Sequence, residues 1–290
     1  MNHTQFYDRV MQQVEVGHAR NALIQLSGML DASGMSSGGL AAAGDALRRH
    51  DLFALLRRAQ CPEPDTSTSA IPTLLRAPSL LPGFDPTAQM LFTAMREIPP
   101  VHAILKRGDH AGRIIAQAWK EGRSICLSGT GYSDALSILD GRDLGNVTVC
   151  GASELPSAAV RQRFDTLADA LKAGACFDLI YAPDLLFETA QDRLAETFSA
   201  VAASLTADGT ALMSSLLPDH LGSGWRKLCL AWEPHCHAEE PLAQAAQAAG
   251  VTARFYDDRE GCILWCEVAC AQNSKAKTKA SQNQEEGVNP

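Results

Sequence analysis

The chain has no uninterrupted apolar run approaching the roughly 18 residues that would cross a bilayer. Its first stretch, MNHTQFYDRVMQQVEVGHAR, has no apolar core of the kind a secretory signal needs. The expectation is a cytoplasmic protein with no membrane span. No long Lys/Arg block occurs outside the C-terminal tail, and 25 basic residues stand against 33 acidic ones, a net charge of −8. That balance disfavours generic nucleic-acid binding. A disulfide framework is also lacking. The nine cysteines are odd in number, and most sit inside apolar runs (Cys126, Cys150, Cys176, Cys229, Cys262 and Cys266), which suits buried thiols.

Several catalytic signatures are absent as well. There is no G-x-S-x-G, since Ser223 in LGSGW lacks the preceding glycine spacing, and no Lys-Ser/Thr follows Gly131 to make a P-loop. His235-Cys236-His237 suggests metal chemistry, but neighbouring residues diverge on any regular element and no further ligand pair lies at finger-like spacing. A surface turn after Pro234 is the expected reading. Cys262 and Cys266 lie on one face of a strand, roughly 13 Å apart along it, too far to share an ion. No metal is expected.

The sequence holds enough apolar residues, 46% with only 20% charged, to bury one large domain or two moderate ones. Residues 21 to 60 carry an interrupted helical pattern, resuming at DALRRHDLFALLRR with Leu47, Leu52, Phe53, Leu55 and Leu56. These helices are expected to shape a substrate pocket or form a homodimer. Residues 61 to 86 carry six prolines with Ser and Thr, a linker composition. The expected division is therefore a helical region over 1–100, a second domain over 101–270, and a disordered tail over 271–290, which has almost no apolar residues.

Within the second domain, strand and helix alternate. HAGRIIAQAWK (110–120) reads as an amphipathic helix, and RSICLSGTG as a short strand running into glycines. NVTVCG and CFDLIYAPDLL follow as strands, the latter apolar enough to be buried on both faces of a parallel sheet. DRLAETFSAVAASL has helical spacing, TADG reads as a turn, and TALMSSLL as another strand. A helix closed by Gly250 leads to a final pair of strands joined at Asp257–Gly261. The predicted fold is α/β, a doubly wound, mostly parallel sheet with an antiparallel C-terminal hairpin.

In such a sheet the first strand-to-helix turn offers backbone N–H groups to a ligand. Gly129-Thr130-Gly131 occupies that place; alone, the pattern fits an ordinary tight turn equally well. The ordered series SGTGYSDAL, NVTVCGASE, FDLIYAPDLLFE, LTADGTALMSS and FYDDREGCILWCEV resembles the class I S-adenosylmethionine-dependent methyltransferases over about residues 101 to 270. The closing segment and LAWEPHC look like the bacterial extracellular-factor 3-hydroxy fatty acid methyl ester biosynthesis type, which implies methyl transfer to a carboxyl oxygen of an acyl substrate.

The resemblance implies S-adenosylmethionine as cofactor, with Gly129, Thr130 and Gly131 around its methionine end, Glu154 near the ribose, and Tyr181 and Ala182 beside it at the end of the fourth strand. His220 and Arg226, in PDHLGSGWRK with Trp225, either meet a small-molecule methyl acceptor or belong to an exposed solvated loop, and Tyr181 and Phe187 either line the adenine or acceptor pocket or are plain packing. Asp184 is placed either as a catalytic acid or base or as the cap of a helix at Leu185. Arg107, His110 and Arg113 are either basic groups for the cofactor's carboxylate or plain helix-surface charges.

The family's usual pattern is broken at three positions. Leu127 stands where a carboxylate usually precedes the first glycine, Ser133 replaces the third glycine, and Gly151 stands where an acid usually accepts both ribose hydroxyls. Losing that last contact would cost about 1.5–3 kcal/mol. The alternatives are a methyltransferase-like binding or scaffold module without catalysis, and a nicotinamide-dependent enzyme sharing the G-x-G turn.

Overall fold

A computed structural model describes residues 12–13, 16–32, 83–151, 160–218 and 234–269. The expected helices beyond residue 32, most of the proline-rich segment and the C-terminal tail lie outside the described residues. The chain divides into two units, one gathering residues 1–107, 216–234 and 258–263, the other residues 108–215, 235–257 and 264–290.

In the first unit, helix α1 (Ala19–Ala32) packs on α2 (Pro86–Met95). The start of α2 is set by its sequence: Asp85 accepts the Ala88 N–H at 2.9 Å, and Pro86 fills the first turn, where no N–H is needed. Leu91, Phe92 and Met95 are buried on α2, and Ala22 and Leu23 on α1. An exposed ion pair, Arg20 Nε to Glu97 Oε2 at 2.9 Å, adds little to this packing.

Helix α3 (Pro99–Lys120) begins eleven residues before the expected start at His110. Its two leading prolines stand in the first turn, where they preset the backbone instead of breaking it. Ile104, Ala111, Ile115 and Ala118 form its buried stripe.

The second unit is built on one seven-stranded sheet in the order β3-β2-β1-β4-β5-β7-β6. Its elements are β1 (Ile125–Ser128), α4 (Gly131–Leu139), β2 (Leu144–Cys150), β3 (Val160–Phe164), α5 (Leu167–Lys172) and β4 (Phe177–Ala182). After them come the short α6 (Leu185–Glu188), α7 (Leu194–Ala203), β5 (Leu205–Leu216), α8 (Glu239–Ala248), β6 (Thr252–Asp257) and β7 (Ile263–Ala269). The pairs β1–β2, β1–β4, β2–β3 and β4–β5 are parallel, and β6–β7 is antiparallel. The expected architecture is therefore present: a mostly parallel α/β sheet closed by an antiparallel pair.

The centre of the sheet is apolar on both faces, as the continuous runs in β1 and β4 require. Ile125, Cys126, Leu127, Ile180 and Tyr181 are each fully buried. Burial of each large apolar side chain contributes roughly 1.5–3 kcal/mol.

Two elements depart from the sequence reading. Strand β3, VRQRF, went unrecognised: Arg161, Gln162 and Arg163 are all exposed, and an edge strand of this kind carries no apolar alternation. The segment TADG is not a turn before a strand but part of β5. The β4–β5 pairing jumps from Phe177↔Leu205 to Leu179↔Thr210, which accommodates TADG as a bulge.

Candidate functional site: the glycine loop between β1 and α4

The chain order of the sheet reverses between β1 and β4, whose neighbours β2 and β5 lie on opposite sides. Ligands of open α/β sheets bind beyond the carboxyl ends of the strands at such a switch point. Gly129-Thr130-Gly131 leaves β1 there and runs directly into α4. Gly129 has φ +59°, a backbone conformation that side-chain-bearing residues rarely adopt, so the turn itself requires glycine. Gly131 is needed for a different reason. A Cβ there would stand 2.8 Å from the Tyr181 carbonyl oxygen and 3.1 Å from Pro183 Cδ, so the loop is seated directly on the end of β4.

That seat is fastened by two carboxylates. Thr130 donates its backbone N–H to Asp184 Oδ2 at 3.0 Å and its hydroxyl to the same oxygen. The Tyr181 hydroxyl donates to Asp134 Oδ2, in the first turn of α4, at 2.7 Å. Thr130, Asp134, Tyr181 and Asp184 are all buried, Tyr181 completely. Asp184 makes no side-chain cap on α6, so the helix-cap reading is corrected: the carboxylate turns back on the glycine loop instead. Ala182, the last residue of β4, is buried beside it.

The same edge is extended by β5 and the segment before α8. Ser214 donates its hydroxyl to the Pro183 carbonyl at 2.7 Å, fixing the turn that carries Asp184. Ser215 accepts the His237 N–H at 3.0 Å. His237 Nε2 lies 3.2 Å from the Leu186 oxygen and 2.9 Å from the Thr189 oxygen, and since carbonyls only accept, Nε2 carries the proton. His235 donates its N–H to the Phe187 oxygen at 2.9 Å. The expected surface turn is thus corrected at His237, a buried residue whose ring closes the carbonyl end of α6. Burial lowers its pKa, and the nearby His235 lowers it further, against the two carbonyls that raise it. Phe187 is itself buried.

At the next strand, Gly151 has φ +71° and donates its N–H to the Phe164 oxygen at 3.1 Å. Leu127, another of the three departures from the family pattern, is fully buried. Glu154, His220, Trp225 and Arg226 lie outside the described residues. Of the basic trio on α3, Arg113 is exposed, but Arg107 is buried and not a surface charge. His110 sits 3.0 Å from the Tyr256 hydroxyl, with its ring centroid 4.4 Å from that of Trp265, on the side of β6 and β7. Among the described residues no group of three His, Cys, Asp or Glu side chains could hold a metal ion, and no helix is long and apolar enough to cross a membrane.

Sequence reasoning brought Gly129, Thr130, Gly131, Tyr181, Ala182 and Asp184 to one edge, and the structure gathers them there. It missed Asp134, Ser214 and Ser215, and placed His237 in a surface turn. Asp134 had a signal, an acidic residue in the first turn of the helix behind the glycines. The two serines end a strand read only as apolar.

No known protein family profile matches the sequence, and no curated protein does. Among solved structures, a possible exported protein from Bordetella parapertussis superposes with a TM-score of 0.52 at 16% identity, covering 93% of this chain and 97% of that one. Magnesium protoporphyrin IX methyltransferase from Synechocystis, with bound SAH, gives a TM-score of 0.40 at 15% identity, over 58% of this chain and 84% of that one. The pyocyanin biosynthetic protein PhzM gives 0.41 at 15% identity, over 91% and 99%. Similarity at these identities speaks to the fold, and the first of the three is the one close enough to carry that argument.

Proposed function

We propose that the chain transfers a methyl group from S-adenosylmethionine to a small-molecule acceptor. The observation that supports this reading best is the glycine turn at the switch point of the sheet, closed by the buried Asp184 carboxylate. Loops that hold a pyrophosphate offer free backbone N–H groups to an anion. Here Thr130 gives its N–H to a protein carboxylate, an arrangement that repels phosphate and favours the ammonium and sulfonium of the methionine end. The nicotinamide alternative is disfavoured on the same ground.

The residues fit the cofactor at that end. Gly129, Thr130 and Gly131 would surround the methionine part, Tyr181 and Ala182 would support it from below, and Glu154 would serve the ribose in place of Gly151. When bound, the cofactor supplies an electrophilic methyl group. The chain's own contribution is to orient the acceptor and exclude water beyond the ends of β4 and β5, where His220 and Arg226 are assigned by sequence position. A carboxyl oxygen of an acyl substrate is the proposed acceptor, with Arg226 pairing its charge; such a nucleophile is already anionic, so positioning carries most of the rate.

A second reading, a methyltransferase-like module without catalysis, draws on one pair of facts. Leu127 is fully buried and Gly151 has a left-handed backbone, so neither family position offers a carboxylate. Isothermal titration tests the cofactor binding that the enzyme reading requires. Saturable heat with S-adenosylmethionine and S-adenosylhomocysteine, and none with NADH, supports the enzyme; no heat from either adenosyl ligand at millimolar concentration removes it.

A further inference from the structure

We infer that Asp184 is the positioning carboxylate of the glycine loop, reaching from the end of β4 to hold Thr130 in the absence of an acid at Leu127. Three observations carry this. Leu127, two residues before Gly129, is an apolar side chain fully buried in the sheet and offers the loop no carboxylate. Asp184 meets the loop at both donors of Thr130, its N–H at 3.0 Å and its hydroxyl. Finally, the turn that carries Asp184 is anchored on its far side by the Ser214 hydroxyl on the Pro183 carbonyl at 2.7 Å, so the carboxylate is held from β5 as well as from β4.

The other end of the same strand shows the same kind of contact away from the glycine turn. Asp178 Oδ2 accepts the Ser124 N–H at 2.8 Å and the Ser124 hydroxyl at 2.9 Å, fastening the entry of β1 to the entry of β4. Asp184 repeats that contact at the exit of β1. There the clamped residue lies between two glycines, so the carboxylate holds the turn that leads from β1 into α4. Asp184 acts through Thr130, and its charge sets which ligand end the loop admits.

For its ligand the inference rests on the methyl-transfer reading, so the test has a readout that does not. The full chain and its Asp184→Asn, Thr130→Val and Thr130→Ser variants are titrated with S-adenosylmethionine and S-adenosylhomocysteine, and amide exchange of residues 129–131 is followed in each without ligand. Asp184→Asn keeps the side chain's size and removes its charge. It is expected to weaken S-adenosylmethionine binding about ten- to a hundredfold and to speed exchange at Thr130. Thr130→Val, which keeps the N–H, falls between that variant and the wild type, and Thr130→Ser, which keeps both donors, stays nearer the wild type than Thr130→Val does. Unchanged affinity in Asp184→Asn, or unchanged exchange at Thr130, overturns the inference. If Asp184→Asn does not fold, the contrast between Thr130→Val and Thr130→Ser decides it: equal behaviour of the two overturns the clamp. If the wild type binds neither ligand, methyl transfer fails as a reading, and the exchange comparison alone then supports or overturns the clamp.

Discussion

Strand β4 carries a carboxylate at each end, and the two make similar contacts in dissimilar places. Asp178 at the entry and Asp184 just past the exit each accept a backbone N–H and a hydroxyl from one residue, Ser124 and Thr130, and in both cases the partners are 54 residues apart in sequence. Asp178 adds the Thr206 hydroxyl at 2.6 Å and so ties β1, β4 and β5 at the edge away from the glycine loop. It remains partly exposed. Asp184 is buried, and what it holds is the loop. One geometry therefore serves as a structural tie at the start of β1 and as a positioning contact where it meets the glycine turn. What differs is the clamped residue's setting: Thr130 is flanked by glycines and Ser124 is not.

The comparison is broken most severely at Gly131. Gly131→Ala puts a methyl group 2.8 Å from the Tyr181 carbonyl, a backbone atom that cannot give way cheaply. The loop must leave its seat, with an expected loss of about 1–3 kcal/mol of stability in urea titration and loss of detectable S-adenosylmethionine binding. Binding that survives intact would show that the loop does not need its contact with β4.

Next in size is Tyr181→Phe, which removes the hydroxyl donated to the buried Asp134 carboxylate. The expected cost is again about 1–3 kcal/mol, read as a fall in the urea midpoint. A neutral result would mean that Asp134 is satisfied by other partners.

Asp178→Asn is the control for Asp184. Hydrogen bonds of this kind are worth roughly 1–2 kcal/mol, so stability should fall by about that amount while ligand affinity stays at the wild-type value. Its pH signature is distinct too. Burial pushes the Asp178 carboxyl up, but hydrogen bonds from Thr206 and Ser124 outweigh it and hold the group below the ordinary carboxylate range. A depressed carboxyl stabilises the fold above its unfolded pKa, and that contribution is lost as pH falls through the folded value. Asp178→Asn should therefore flatten the acid limb of a stability–pH curve. A change in ligand affinity in this variant would erase the distinction between the two ends of the strand.

The smallest effect belongs to His110, packed on Trp265 and Tyr256. Burial lowers its pKa below the ordinary 6.5, with Arg113 adding to the shift and Glu267 opposing it. The unfolded imidazole thus binds its proton first as pH falls, so stability is full above pH 6.5 and declines below it. His110→Gln should reduce that decline without changing ligand affinity at neutral pH.

Legibility from sequence followed burial. FDLIYAPDLL could be read as a central strand because it is apolar on both faces, and the β6–β7 pair because the turn at Asp257–Gly261 separates them. VRQRF could not, since an exposed edge strand has no apolar face to announce it. The start of α3 was hidden by Pro99 and Pro100, which read as breakers until their first-turn position is known. At the site, the glycines and the residues closing β4 were recognisable by type and order. The use of Asp184 was not, because a contact between residues 54 apart exists only once β1 and β4 lie side by side. Likewise His237 looked like a surface residue because its partners are backbone carbonyls of α6, which no side-chain pattern records.

The central claim is that S-adenosylmethionine binds at Gly129-Thr130-Gly131. The most direct measurement is the nuclear magnetic resonance titration of the isotopically labelled full chain with S-adenosylmethionine, following assigned backbone amides. The account predicts saturable shifts at Gly129, Thr130 and Gly131, together with the Ala182 and Asp184 amides at the end of β4, and much weaker saturation in Asp184→Asn. Amides of this loop that stay in place up to millimolar ligand, or shifts confined to α1 and α2, would contradict it.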